Sequence, residues 1–136
     1  MPAHRPVANQ RVGLTGATGF VGGRLCQTLL RQQSLQLRVL IRSGAQRLSA
    51  HIRDNVEIID ANLDDMEALH AFSDGCDAVI HCAASVRGND WQDFANSNVA
   101  GTANLLQAMQ AQGCRYLLHL SSLAASQPQL SWYSRS

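Results

Sequence analysis

The stretch Thr15-Gly16-Ala17-Thr18-Gly19-Phe20-Val21-Gly22 constrains this chain more than any other. It follows an apolar run, Val12 to Leu14, and leads into a helical pattern, Val21, Leu25 and Leu29. A strand, a glycine turn and a helix in that order bring the start of the helix to the end of the strand. Gly16 allows a sharp turn as the chain leaves the strand. Gly19 leaves room where a side chain would block a pyrophosphate, and Gly22 lets the helix lie close on the strand. Backbone N–H groups in the helix's first turn, with the positive end of its dipole, can then hold phosphate oxygens. The spacing is G-x-x-G-x-x-G rather than the G-x-G-x-x-G of the common dinucleotide fingerprint.

The rest of the chain repeats the alternation of strand and helix. Apolar runs at Arg11–Thr15, Leu37–Ile41, Val56–Ile59, Asp77–Cys82 and Arg115–Leu120 read as five strands. Helical patterns fall at 20–32, 65–72 and 91–112, the last closed by Gly113, and a short helix fits 45–51. Leu37–Ile41 is nearly all hydrophobic, as in a parallel strand covered on both faces. This pattern predicts a doubly wound parallel α/β sheet of the Rossmann type. Right-handed crossovers give the strand order 3-2-1-4-5. Residues 1–10 read as a loose leader, residues 11–136 as one domain, and 121–136 as a tail broken at Pro128. Ligands in such sheets bind at the carboxyl ends of the strands. Gly16, Arg42, Asn62, Ala83 and Ser122 all fall just after strand ends.

The 136 residues suffice for one domain with a real core, and 46% hydrophobic against 15% charged residues is a globular balance. A net charge of +1 gives no electrostatic case for nucleic acid or a membrane surface. No apolar run is long enough to span a bilayer, and the first residues lack a signal-peptide core, so a cytoplasmic protein is expected. Cys26, Cys76, Cys82 and Cys114 form no C-x-x-C pair and read as buried free thiols, with no metal site. All eleven basic residues are arginine.

Arg42 ends the second strand, where an acid would hydrogen-bond the ribose 2′-hydroxyl of NAD. An arginine suits a 2′-phosphate instead, which favours NADP over NAD; otherwise it is a solvated arginine at a strand end. Ser43 adds a hydroxyl beside it. Asn98 and Gly101 interrupt a helical pattern with poor helix formers. Gly101 fits a close packing contact, and Asn98 fits a hydrogen bond to backbone near the site.

These words resemble the short-chain dehydrogenase/reductase superfamily, and most of all its extended branch, the NAD(P)-dependent epimerase/dehydratase family. The resemblance covers residues 11–136 but only the first half of a family member. It implies that the glycine turn, with Thr18, Phe20 and Val21, holds the cofactor. Val56 to Asp65 resembles the family's stretch ending in Gly-Asp-Leu-x-Asp, which implies adenine contacts at Asn62 and Leu63. Asn62 stands where the family has aspartate; Asp60 is the alternative, and a plain loop asparagine the simpler reading. His81-Cys82-Ala83-Ala84 resembles the fourth-strand segment, whose small residues Ala83 and Ala84 admit the ribose. His81 itself reads as a buried strand residue. Ser85 and Arg87 follow on the nicotinamide side. Asn98-Val99-Ala100-Gly101-Thr102 is similar to the family's Asn-Val-x-Gly-Thr.

Leu120-Ser121-Ser122 resembles the segment whose second serine polarises the substrate oxygen, which implies that role for Ser122. Tyr133 fits the acid/base tyrosine of the Tyr-x-x-x-Lys motif. The motif's lysine would follow Ser136, and the chain contains no lysine. A free tyrosine has a pKa of about 10, so without a neighbouring cation little phenolate exists at pH 7. The expectation is therefore the first part of an enzyme, ending at its catalytic motif and inactive alone. The whole enzyme would transfer hydride at a secondary alcohol or ketone of a small molecule. A non-catalytic module that senses a dinucleotide or binds protein is the alternative, and an unrelated flavodoxin-like domain a third. The fifth strand forms an exposed apolar edge, which predicts self-association.

Overall fold

A computed structural model describes residues 9–136. The leader expected over residues 1–10 lies outside the described residues up to position 8, and Gln10 already belongs to the first strand. Five parallel strands form the sheet: β1 (Gln10–Thr15), β2 (Leu35–Ile41), β3 (Glu57–Asp60), β4 (Ala78–His81) and β5 (Tyr116–His119). Their order is β3-β2-β1-β4-β5, as the alternation predicts. In register, Thr15 lies beside Leu40 on one side and His81 on the other. Ile41 lies beside Asp60, and His81 beside His119.

Helices cover both faces. On one, α1 (Phe20–Leu30) and α2 (Ala50–Arg53) enclose Leu14, Cys26, Val39, Ile41 and Ile52. On the other, α3 (Met66–Ser73) and α5 (Gly101–Ala111) enclose Leu40, Leu69, Phe72, Val79, Leu105 and Met109. Successive β2 residues thus enter opposite cores, which is why that strand carries no alternation with polar residues. Arg38 is the exception inside it. Its Nη1 donates to the carbonyls of Ala71, Phe72 and Asp74 at the end of α3, and its Nε sits 2.8 Å from Glu57 Oε2. A buried charge is tolerable only with such partners, and a cation suits the negative end of a helix.

The expected helix 45–51 is instead a tight turn, Ala45–Arg47, followed by α2, which Ser49 caps through the Ile52 N–H. The expected helix 91–112 is continuous but mixed. α4 (Trp91–Phe94) passes through a π-helical stretch, Ala95–Ala100, into α5. β4 is shorter than Asp77–Cys82. Asp77 turns its carboxylate to the Arg11 N–H, and the N–H groups of Cys82 and Ala83 turn to the Thr15 hydroxyl. The segment after β5 carries a short turn, Leu123–Ser126, and α6 (Trp132–Arg135), capped by Ser131. No described helix is long and apolar enough to cross a membrane.

Candidate functional site

A cleft of about 740 Å³ opens where β1, β2, β3 and β4 end, within the size range of small-molecule sites. Gly16, Thr18 and Gly19 line its β1 side. Gly16 has φ +77°, and a Cβ there would lie 2.8 Å from Ala83 N, so the loops leaving β1 and β4 touch. A Cβ on Gly22 would run into the Gly16 carbonyl, so the third glycine is required by the close return of the helix. The Gly19 N–H donates to Gly16 O at 3.0 Å and closes the turn. Asp65, Asp90 and Ser131 each cap a helix with their side chains. α1 starts at Gly19 with no side-chain cap and no acid in its first turn. Its first N–H groups have no partner within the helix and are available to an anion. Phe20 and Val21 belong to that first turn; their side chains are exposed and do not line the cleft.

At the end of β2 the chain reverses through Ser43, at φ +36°, and Gly44. Asp60 at the end of β3 fixes this turn: its Oδ1 accepts the Ser43 N–H at 2.7 Å. Asp60 is therefore committed to the turn and does not line the cleft, and neither does Ser43. Arg42 does, and so does Arg47, brought back by the Ala45–Arg47 turn. Neither guanidinium has a hydrogen-bond or ion-pair partner among the described residues. Arg47 escapes a reading by motif, because only the turn geometry joins it to Arg42.

Asn62 and Leu63 follow β3 and line the next wall. Asn104 donates to Leu63 O at 2.9 Å, and a Cβ on Gly101 would lie 2.9 Å from the Leu63 side chain. Gly101 thus permits the close contact expected of it, and the contact seats Leu63. The Asn62 side chain is exposed, with no protein partner among the described residues.

The β4 wall carries Cys82, Ala83, Ala84 and Ser85. Behind it lies a buried polar chain. Thr15 Oγ1 is 2.7 Å from His81 Nδ1 and accepts the N–H groups of Cys82 and Ala83, each at 3.1 Å. His81 Nε2 is 3.0 Å from Thr102 Oγ1, which donates to Asn98 O at 2.8 Å. Asn98 grips Ser85 twice: its Oδ1 accepts the Ser85 N–H at 2.7 Å and its Nδ2 donates to Ser85 O at 2.9 Å. Asn98 thus holds backbone at the wall without lining the cleft itself. His81 is 1% exposed. Burial, and secondarily the stacked His119 ring 5.3 Å away, pull its pKa down to about 4. Burial raises the free thiols of Cys26 and Cys76 to about 11. No cluster of three metal-ligating side chains occurs among the described residues.

Ser122, Tyr133 and Arg87 do not line the cleft. Ser122 is exposed and its Oγ accepts the Ala124 N–H at 3.1 Å. Tyr133 is half-buried, its ring 6.5 Å from that of Phe94. Arg135 lies over the Trp91 ring at 5.0 Å.

Comparison with known proteins agrees with this geometry. The chain is 35% identical over 126 residues to a ceramide reductase of Caulobacter vibrioides, covering 92% of this chain and 38% of that protein. It is 34% identical over 119 residues to a putative dihydroflavonol 4-reductase of Synechocystis, covering 82% and 32% respectively. The chain therefore spans about a third of the length of these curated relatives. A mutant uronate dehydrogenase of Agrobacterium tumefaciens, solved in complex with NAD, superposes with a TM-score of 0.69 at 27% identity, covering 85% of this chain and 42% of that one. UDP-glucuronic acid 4-epimerase of Bacillus cereus, also with NAD, shares the fold at a TM-score of 0.80 and 21% identity, covering 93% and 48%. A family profile matches residues 12–130, from β1 past β5, and the chain belongs to the NAD dependent epimerase/dehydratase family.

Proposed function

We propose that this chain is the dinucleotide-binding part of an oxidoreductase and takes NADP in preference to NAD. One observation carries the preference: Arg42 and Arg47 line the cleft at the end of β2, and neither guanidinium has a partner among the described residues. Two free guanidinium groups match a 2′-phosphate through charge-assisted, bidentate bonds. The acid that would favour the 2′-hydroxyl of NAD is not at position 42, and Asp60 is bonded to the Ser43 N–H.

The cleft lining suits the phosphate, adenine and ribose parts of a dinucleotide. The uncapped first turn of α1, with Gly16 and Gly19, would take the pyrophosphate. Asn62 and Leu63 would flank the adenine, an exposed amide beside an apolar side chain, and Ala83 and Ala84 would leave room for a ribose. When bound, the cofactor supplies or removes a hydride. In the complete enzyme Ser122 would hold the oxygen of a secondary alcohol or ketone by its hydroxyl, and Tyr133 would pass that oxygen its proton. Here both lie off the cleft lining. That observation favours a second reading for these residues taken alone, a module that binds dinucleotide without turning over substrate.

Thermal unfolding with NADP, NAD and neither tests the proposal. A ligand at a hundred times its Kd stabilises the folded state by about 2.7 kcal/mol, several degrees for a domain this size. A larger shift with NADP is expected. A larger shift with NAD would reject the role of the two arginines, and no shift with either would reject the dinucleotide site.

We also propose self-association through β5. The strand is an edge, and Tyr116 and Leu118 stand 67% and 57% exposed on it. Light scattering at high concentration should show dimers or larger species; a monodisperse monomer would refute this.

A further inference from the structure

The polar chain behind the β4 wall has a direction that the hydrogen-bonding capacities of its members fix. The Thr15 hydroxyl accepts two backbone N–H groups, from Cys82 and Ala83, which occupies both its lone pairs. Its own proton must then point to His81 Nδ1, 2.7 Å away. With Nδ1 accepting, a neutral His81 carries its proton on Nε2 and donates to Thr102 Oγ1. Thr102 passes its proton to Asn98 O. The series runs one way, from the end of β1 to the helix residue that grips Ser85. Every donor along that line meets an acceptor, and the imidazole is the link that joins the two hydroxyls.

We propose that His81 is a positioning residue for the dinucleotide. As the neutral Nε2–H tautomer, it couples the Thr15 hydroxyl to Asn98 and so sets the backbone of Ala83 and Ser85 along the cleft. This role rests on the dinucleotide reading of the cleft, but the coupling itself does not. Removing the Thr102 hydroxyl would leave the Nε2–H of a buried ring without an acceptor. The ring could regain a partner only by moving its proton to Nδ1. Thr15 would then have to accept from His81 and release Cys82 or Ala83. A defect on α5 would thereby reach the cleft without touching any residue that lines it.

The test compares the wild-type chain with Thr102→Val and Thr102→Ser, each ¹⁵N-labelled and checked for folding by circular dichroism. The His81 ring nitrogens of the wild type should show a neutral ring protonated on Nε2 at pH 7. Thr102→Val should move the backbone amide signals of Ala83 and Ser85 and raise the Kd for NADP about fivefold, the loss of one ordinary hydrogen bond. Thr102→Ser should restore both. A ring proton on Nδ1, a folded Thr102→Val with wild-type amide signals, or no rescue by serine would overturn the proposal. If the wild type binds neither NADP nor NAD, the dinucleotide reading and the positioning role fall together. The ring and amide signals then still report whether the coupling exists, so the two failures are told apart.

Discussion

Acid should destabilise this fold through His81. The ring is buried, and its pKa falls from the ordinary 6.5 to about 4, through burial first and the neighbouring His119 second. The groups against it are Thr15 from β1, Thr102 from α5 and His119 from β5, and of these only His119 can titrate. The unfolded chain therefore takes up this proton at higher pH than the folded one. Stability is fully present above about pH 7 and falls as the pH drops through 6.5 toward 4. A gap of about two and a half pH units, at about 1.4 kcal/mol each, amounts to about 3 kcal/mol. About 2 kcal/mol of that should be gone by pH 5, before the folded ring protonates. Urea unfolding at pH 7.5, 6 and 5, for the wild type and for His81→Gln, measures it. The variant will be less stable throughout, since glutamine cannot fill the same bonds. The decisive quantity is the difference between the two proteins, in which other titrating groups cancel. It should shrink by about 2 kcal/mol between pH 7.5 and pH 5. A difference that stays constant would refute a neutral, tightly bonded His81.

Three further outcomes follow from single contacts. Gly22→Ala drives a Cβ into the Gly16 carbonyl, a backbone atom that cannot swing aside, so it should cost about 1–3 kcal/mol in urea unfolding and abolish the dinucleotide-dependent thermal shift. Arg42→Ala and Arg47→Ala should each weaken NADP about tenfold, the value of one charge-assisted bond, while leaving the Kd for NAD within about twofold by calorimetry. Arg38→Met strips the donor from three carbonyls and the ion pair from Glu57, and should cost about 2–4 kcal/mol in urea unfolding although methionine fills much of the volume.

What the sequence makes legible here is what depends on local pattern. The five strands are apolar runs and the glycine turn sits between strand and helix, so the sheet order and the place of the cleft follow from them. Gly101 is legible too, because a glycine inside a helix demands a close contact. What stays hidden depends on register or on a tight turn. Arg47 reaches the cleft through three residues at Ala45–Arg47, which carry no periodicity. Arg38 looks like a break in an apolar strand until α3 is seen to end against it. Asp60 reads as a candidate adenine ligand, but its position beside Ile41 hands it to the Ser43 N–H instead. Asn98 is recognisable as a residue with a backbone partner, yet the partner, Ser85, emerges only once the helix is placed.

The pairing of β1 with β4 explains why polar residues stand at the ends of two otherwise apolar strands. Thr15 lies directly beside His81, and both are buried. Side chains alternate between the faces of a strand, so a slip of one residue would send His81 to the α1 side and turn Ile80 toward α5. His81 would then lose both hydroxyl partners while still desolvated, at a cost of about 1–3 kcal/mol for each unsatisfied group. Apolar neighbours could not discriminate so sharply, because Val79 and Ile80 are nearly interchangeable in volume and chemistry. The Thr15–His81 pair thus selects one register of the sheet, and that register brings the Gly16 turn against Ala83 and opens the cleft between the strand ends. The residues that make the fold unique are in this way the same ones that shape the wall of its binding site.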